Sequence, residues 1–139
     1  MTEWDNNFLN LAKTVSNFSK DPSTKVGAVI VDENNRLVSI GYNGFPRGIL
    51  DDDRLLNRKI KYEMVVHAEA NAILFAKTSL FYCTIYTYPF MPCSRCTGLI
   101  IQSGIERVVS IKNNEERWKE NFLLSSQMMR EAGVTLDIY

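Results

Sequence analysis

The chain has 139 residues, 45% of them hydrophobic and 23% charged, and its 16 basic and 16 acidic side chains cancel. This length and composition predict one soluble globular domain over residues 1–139. The balanced charge argues against a strongly basic surface for nucleic acid, and no apolar run reaches the roughly 20 residues that cross a membrane. The polar start of the chain is not that of a signal peptide, and three cysteines do not indicate a disulfide framework, so we expect a reducing, cytoplasmic location.

The first half of the chain predicts a helix, a hairpin and a long loop. Apolar residues recur at helical spacing over residues 3–18. The runs VGAVIV and RLVSIGY are strand-like and flank the turn composition DENN, so they predict a β-hairpin. Residues 43–60 begin with glycine and proline and then become charged, and we interpret them as a long loop with room for a short helix.

Helices and strands alternate in the second half. Helices are predicted over residues 66–77, from Pro92 to about Gly104, and over residues 114–133, and strands over CTIYTYPF, RVVSI and VTLDI. The expected core face of the last helix consists of Trp118, Phe122, Leu123 and Met129. This order predicts an α/β fold with three layers (α/β/α) and a five-stranded mixed sheet.

Two predicted helices begin with residues that bind metals. His67, the only histidine, opens one helix, and Cys93 and Cys96 lie in the first turn of the other. Together they offer three zinc ligands and no convincing fourth, because Cys83 lies inside a strand and is expected to pack in the core. A structural zinc site uses four protein ligands, whereas a catalytic site leaves one position for water. The ligand count therefore favours a catalytic site; residues 44–66 contain no cysteine or histidine for a further site, so we expect one zinc per chain.

Glu69 follows His67 by two residues and is placed to move protons. The positive ends of the two helices would draw electron density from the cysteine sulfurs, so that zinc could ionise water near neutral pH. A lone histidine is usually structural, and a lone C-x-x-C is more often a redox or structural zinc pair. The combination H-x-E with P-C-x-x-C, however, is the known signature of zinc-dependent nucleobase deaminases.

Further segments resemble the deoxycytidylate (dCMP) deaminase family of the cytidine-deaminase superfamily. They are SKDPSTKVGAVIV, GYNGFPRG, HAEANAI, PCSRC, IIQSGIERVV and EAGV. The glycine motif GYNG followed by P-x-G points to this branch. The resemblance implies a cytidine-deaminase-like fold with His67, Cys93 and Cys96 on zinc and Glu69 as the proton shuttle.

The same resemblance implies the substrate and its contacts. Asn43 matches the asparagine that holds the sugar, and the backbone at Ala68 matches the position that contacts the pyrimidine. The reaction would be hydrolysis of dCMP to dUMP and ammonia, which supplies dUMP for thymidylate synthesis. Water attacks C4 while Glu69 carries one proton to N3 and another to the departing amino group.

The resemblance also implies regulation and assembly. Family members are typically homohexamers that dCTP activates and dTTP inhibits, with Mg²⁺ accompanying the triphosphate. The regulatory segment corresponds to Gly41, Tyr42, Asn43, Gly44 and Arg47. Asp51, Asp52 and Asp53 are candidate oxygen groups near the Mg²⁺.

Two features have no single interpretation from the sequence: the binding site of the 5′-phosphate, and a segment that is longer than its counterpart in the family. Ser23, Thr24 and Lys25 lie in a predicted turn. The turn could bind an anion through its hydroxyls and backbone N–H groups, or it could simply be an exposed polar turn, and the sequence favours neither interpretation. Arg95 is interpreted as a helix-surface residue without a catalytic role, and Arg107, Arg117 and Lys119 are candidates for contact with the phosphate or with another subunit. The segment TYPFMPC is longer than usual for the family, and the roles of Phe90 and Met91 are open.

Three alternatives remain. A deaminase of tRNA adenosine would share the zinc motif, but the neutral charge counts against it. A deaminase of another cytosine nucleotide or nucleoside differs in substrate only, and dCTP itself could be a substrate. A non-catalytic zinc module would bind zinc without releasing ammonia.

Overall fold

The computed structural model describes all residues, 1–139, and contains five α-helices and five strands. The helices are α1 (Glu3–Ser16), α2 (Arg58–Met64), α3 (Ala68–Phe75), α4 (Ser94–Ser103) and α5 (Lys119–Ala132). The strands are β1 (Gly27–Val31), β2 (Leu37–Tyr42), β3 (Thr84–Tyr88), β4 (Arg107–Ser110) and β5 (Thr135–Ile138). Judged by length and apolar character together, none of the helices qualifies as a membrane span.

The strands form one mixed sheet in the order β2-β1-β3-β4-β5. The predicted hairpin pairs β1 with β2 antiparallel, and β1 also pairs antiparallel with β3. The pairs β3–β4 and β4–β5 are parallel, and their connections run through α4 and α5. Parallel neighbours need such long crossovers, which explains why helices and strands alternate in the second half. The five-stranded mixed sheet is therefore confirmed.

Alternate residues of the strands enter two separate cores. Ala28, Ile30, Ile85 and Val108 pack in a cluster with residues of α3, α4 and α5. Their strand neighbours Val29, Val31, Tyr86 and Val109 pack in a second cluster with α1. Because side chains of a strand point to opposite faces in turn, the sheet is covered on both faces. The predicted three-layer α/β/α architecture is confirmed.

Several boundaries differ from those predicted. The first helix ends at Ser16 rather than at residue 18, and α3 covers residues 68–75 rather than 66–77. The loop predicted over residues 43–60 contains a 3₁₀ turn at Asp53–Leu56 and the start of α2, which continues to Met64. The end of the fourth helix is as predicted, since Gly104 is its C-cap with φ of 89°. A left-handed residue at this place favours glycine.

The predicted core face of the last helix is wrong in one residue. Met129 is fully buried, and Trp118 and Phe122 are half-buried, but Leu123 is 66% exposed. Ser125 occupies a buried position instead. Three apolar residues in succession, Phe122 to Leu124, leave the orientation of the helix ambiguous from sequence, because a helix buries only one stripe.

Candidate functional site

Three side chains come together as a donor group for a metal ion. His67 Nδ1 lies 3.5 Å from Cys93 Sγ and 3.4 Å from Cys96 Sγ. Tetrahedral zinc, with bonds of about 2.3 Å to sulfur and about 2.0 Å to nitrogen, would hold such atoms about 3.5 Å apart. The donor types and their spacing therefore fit zinc, with a fourth position open to a small molecule. No other three His, Cys, Asp or Glu side chains of the chain form such a group.

His67 is held in position because residues close to it in sequence contact β2 and the residues just after β2. Gly44 and Val66 form an antiparallel bridge, with N–H···O distances of 3.1 and 2.8 Å. The amide of Asn71 donates to the carbonyl of Tyr42 at 2.8 Å. His67 is the N-cap of α3 and makes no capping hydrogen bond with its side chain, so its imidazole is available to a metal.

The two cysteines belong to the start of α4. Cys93 is its N-cap, and Cys96 lies in its first turn. The N-termini of α3 and α4 therefore lie at one site. Hydrogen bonds from Cys96 and then from His67 lower the pKa of Cys93 to about 4, whereas the hydrogen bond to Cys93, with burial, raises the pKa of Cys96. Zinc binds cysteine as the thiolate, so binding of the metal would release any thiol proton that the pair still carries.

Glu69 lies in the first turn of α3 and is 4% exposed. Burial is the main cause that raises its pKa to about 7, and His67 opposes this shift. A carboxyl group with such a pKa can both accept and donate a proton near neutral pH. Its oxygens do not belong to the metal-donor group, so Glu69 lies beside the three donors without being one of them.

One cleft of about 860 Å³ contains the donor group and Glu69. Its walls come from the turn after α1, from Asn43, from α2 and the segment that follows it, from the start of α4, and from residues 117–122. A volume of this size suits a small-molecule ligand, since pockets for such ligands are typically about 300–1,000 Å³.

Asn43 lines the cleft but already has two structural hydrogen bonds. Its Oδ1 accepts from the N–H of Val26 at 2.8 Å, and its Nδ2 donates to the carbonyl of Thr24 at 2.9 Å. The side-chain amide has one acceptor position and one donor hydrogen left. Asn43 therefore stabilises the turn that forms one wall of the cleft, and it retains capacity for a ligand. Ala68, the other position implied for the substrate, also lines the cleft.

The turn predicted for the phosphate is divided between the cleft and the surface. Ser23 and Thr24 line the cleft, whereas Lys25 is exposed and lies outside its lining. The lysine that contacts this turn and lines the cleft is Lys61 of α2, not Lys25. Its Nζ donates to Asp21 Oδ1 at 3.1 Å and to Ser23 Oγ at 3.2 Å, and its side chain is buried.

The segment implied for regulation, Gly41–Gly44 with Arg47, includes residues that also stabilise the fold. A Cβ on Gly41 would collide with the backbone of Ala68 and Ala72, so glycine is required for β2 to contact α3. Tyr42 is exposed and makes an edge-on aromatic contact with Phe18, and Arg47 is exposed.

Asp51, Asp52 and Asp53 are the candidate oxygen groups for Mg²⁺, and the first two already have partners within the chain. Asp51 lies 3.5 Å from Lys20, and Asp52 caps the following 3₁₀ turn by accepting from Arg54.

The third cysteine and the four basic residues named in the sequence analysis differ in their positions relative to the cleft. Cys83 packs in the core as predicted. Arg107 is not available for phosphate, because it pairs with Asp5 and Asp137 on the α1 side of the sheet. Arg95 and Arg117 line the cleft, and Lys119 does not.

The longer segment before Pro92 gives Phe90 a place in an aromatic cluster. Its ring lies 6.5 Å from Trp118 and 5.5 Å from Phe122, measured between centroids, and all three residues line the cleft. Met91 instead is buried in the core.

Sequence reasoning missed two polar residues of the cleft wall. Lys61 follows the charged stretch that we interpreted as a loop, and Asn121 lies on α5, 25 residues after Cys96. Their partners, Asp21 and Ser94, are distant in sequence. No local pattern marks such residues.

The fold and the site together define an α/β domain with a cleft for a small molecule and three metal donors that are suited to zinc. The sequence model of the cytidine and deoxycytidylate deaminase zinc-binding region matches residues 2–112. The chain therefore belongs to the cytidine and deoxycytidylate deaminase family.

Individual relatives agree with this assignment. An uncharacterized deaminase of the luxG 3′ region of Aliivibrio fischeri is 44% identical over 96% of this chain and 92% of its own length. Deoxycytidylate deaminase of Mus musculus is 39% identical over 96% of this chain and 78% of its own length. Some animal relatives are longer, and the chain covers 57% of one from Caenorhabditis elegans. The dCMP deaminase of cyanophage S-TIM5, at 22% identity, has the same fold with a TM-score of 0.79, covering 100% of this chain and 99% of its own.

Proposed function

We propose that the chain hydrolyses dCMP to dUMP and ammonia and thereby supplies dUMP for thymidylate synthesis. The observation that carries the proposal is that the donors His67, Cys93 and Cys96 and the buried Glu69 open into one cleft. The name of the mouse relative, at 39% identity over nearly the whole chain, supports dCMP as the substrate.

The proposed chemistry assigns one role to each residue. His67, Cys93 and Cys96 hold the zinc, which when bound makes water a nucleophile at neutral pH. The water oxygen forms a bond to C4 of the cytosine ring, and the bond from C4 to the amino nitrogen breaks. Glu69 takes a proton from the water and delivers it to N3, and it then moves the remaining proton of the new C4 hydroxyl to the nitrogen that leaves as ammonia, so that C4 becomes a carbonyl carbon.

We assign the substrate contacts to residues that line the cleft. Asn43 holds the sugar hydroxyl with its remaining donor and acceptor positions, and the backbone at Ala68 contacts the pyrimidine. Ser23 and Thr24 bind the 5′-phosphate beside Lys61, whose ammonium group has three donor hydrogens and uses two of them here.

The test is ammonia release from a panel of cytosine compounds at equal concentration. The panel contains dCMP, CMP, deoxycytidine, cytidine and dCTP, each with the purified chain. The proposal expects the highest kcat/KM for dCMP. Preference for a nucleoside would show that the phosphate contacts are wrong, and zinc retention without ammonia release from any compound would show a non-catalytic zinc module.

Regulation is a separate part of the proposal. dCTP with Mg²⁺ activates and dTTP inhibits through the segment Gly41–Gly44 together with Arg47. The support is that this segment contacts both the cleft, through Asn43, and the metal site, through the bridge between Gly44 and Val66. An effector acts only by binding two states differently, so dCTP should lower the half-saturating dCMP concentration and dTTP should raise it. Initial rates unchanged by both triphosphates would contradict this part alone.

We also propose that the chain assembles as a homohexamer in a reducing compartment, the cytoplasm. Exposed apolar side chains occur on β2 (Leu37) and at the end of α3 (Leu74 and Phe75), which supports burial against further copies. All three cysteines are free thiols, and two of them are needed as zinc ligands. Light scattering of the purified chain should give six times the mass of 15.9 kDa; a monomeric mass would contradict the assembly.

A further inference from the structure

The N-terminus of α4 lacks the usual capping interaction. Helix N-termini leave backbone N–H groups without intrahelical partners, and the N-cap side chain commonly accepts from one of them. Here the N-cap is Cys93, which makes no such hydrogen bond. Its sulfur instead faces His67 and the metal-donor group. The residue that would cap the helix is thus committed to the metal site.

Asn121 of α5 fills this role from a distant part of the chain. Its Oδ1 accepts from the N–H of Ser94 at 2.8 Å, and its Nδ2 donates to the hydroxyl of Ser94 at 3.0 Å. Ser94 immediately follows Cys93 and precedes Cys96 by two residues. The paired hydrogen bonds therefore fix both the position and the rotation of the turn that presents the two sulfurs.

We propose that Asn121 is a positioning residue of the metal site, which holds the turn Cys93–Cys96 in the geometry that zinc requires. The interaction makes the zinc site dependent on the packing of the C-terminal helix. Hydrogen bonds that orient metal ligands typically account for about 10–100-fold in metal affinity. This inference rests on zinc binding by His67, Cys93 and Cys96, as in the proposed function.

Zinc release tests the inference without any substrate. Zinc-loaded protein is mixed with a chromogenic chelator, and the release rate is compared among the parent chain, Asn121→Ala and Gln127→Ala. Gln127 is an exposed amide on the same helix, so its replacement is a matched control. We expect about 10–100-fold faster release from Asn121→Ala and a rate within twofold of the parent from Gln127→Ala.

Two further variants separate positioning from general destabilisation. Asn121→Asp keeps an acceptor for the N–H of Ser94, so it should release zinc more slowly than Asn121→Ala. Ser94→Ala removes only the hydroxyl partner, so it should accelerate release less than Asn121→Ala does. In the double variant with Asn121→Ala it should add little, because the two residues act as one unit. The thermal melting temperature of each variant is measured as well, to establish that the variant is folded at the temperature of the assay.

The outcomes are distinct. A parent chain that retains no zinc would overturn the proposed function itself. A zinc-bound parent whose folded Asn121→Ala variant releases zinc at the parent rate would overturn only the positioning role. Equal acceleration by Gln127→Ala would show that loosening α5 at any point has the same effect, and would also overturn it. Initial rates with dCMP are measured on the same variants, and a raised KM of Asn121→Ala with an unchanged release rate would identify Asn121 as a substrate contact instead.

Discussion

Lys61 donates a 3.1 Å hydrogen bond from its ammonium group to the carboxylate of Asp21, although 40 residues separate them in sequence. Both side chains are 7% exposed. Asp21 also accepts from the N–H groups of Ser23 and Thr24, at 2.8 and 3.2 Å. The ion pair thus connects α2 to the turn that we propose for the substrate phosphate.

Replacement of Lys61 by methionine should destabilise the fold and impair binding. It leaves a buried carboxylate without its cation, which typically costs about 3–5 kcal/mol of the free energy of unfolding. We also expect a higher KM for dCMP, because the turn loses its support. Urea unfolding and initial rates measure the two effects. Lys59→Met, at an exposed position of the same helix, is the control and should change neither.

The double variant Lys61→Met with Asp21→Asn should recover part of the lost stability, because it removes the unpaired charge. Unfolding of Lys61→Met at the same urea concentration as the parent would contradict the structural role of the pair.

Replacement of Glu69 by glutamine should abolish most activity and leave the metal bound. General acid–base transfer is typically worth about 10²–10⁴-fold in rate, and the amide of glutamine cannot carry protons. Ammonia release from dCMP and zinc content per chain are the two measurements. Glu63→Gln, an exposed carboxylate in the lining of the same cleft, is the control. Loss of zinc from Glu69→Gln would identify Glu69 as part of the metal site rather than as the proton carrier.

Metal analysis of the purified chain should give about one zinc per chain. Cys83→Ala should retain it, because Cys83 is 2% exposed in the core and lies outside the donor group. Cys96→Ala should lose it, because two donors hold zinc much more weakly than three. Two zinc ions per parent chain, or loss of zinc from Cys83→Ala, would be inconsistent with the three-ligand site.

Asn43→Ala should affect both stability and catalysis. It leaves the N–H of Val26 without its partner, which typically costs about 1–3 kcal/mol when the group is buried. Ser19→Ala is the comparison, since Ser19 binds the backbone of the same segment outside the cleft lining. If Asn43 also holds the sugar, only its variant should lower kcat/KM for dCMP by more than tenfold. Equal kcat/KM in the two variants would leave Asn43 with a structural role alone.

Acid should weaken the fold through Asp5. Hydrogen bonds from Arg107 are the main cause that holds the pKa of Asp5 well below its usual range, and Tyr86 contributes. A carboxyl group with a lowered pKa stabilises the fold above its unfolded pKa of about 3.9, and this contribution is lost as the pH falls through the folded value. Asp5→Asn should therefore cost about 1.5–3 kcal/mol at pH 7, the usual range for hydrogen bonds to a charged group.

The difference between the parent and Asp5→Asn should shrink as the pH falls below about 4. Denaturant unfolding at several pH values measures this difference. A difference that stays constant down to pH 2 would show that the charge of Asp5 is not the source of the stabilisation.

The sequence by itself determined the features that depend on short spacing. The zinc donors and Glu69 were recognisable because H-x-E and P-C-x-x-C each lie within one helical turn, where spacing along the chain fixes spacing in the structure. The five-stranded sheet followed from apolar runs and the alternation of helix with strand. Each of these patterns results from local geometry that does not depend on distant residues.

Only the tertiary structure decided which distant residues support the site. The only buried residue of α2 is Lys61, and it pairs with Asp21, a partner that no local pattern reveals. The contact between Asn121 and Ser94 likewise depends on how α5 packs against α4. The same packing, rather than hydrophobicity, leaves Leu123 exposed and buries Ser125. Burial and polar pairing are properties of the packed whole, since a helix exposes or buries a residue according to the neighbours that the fold brings to it.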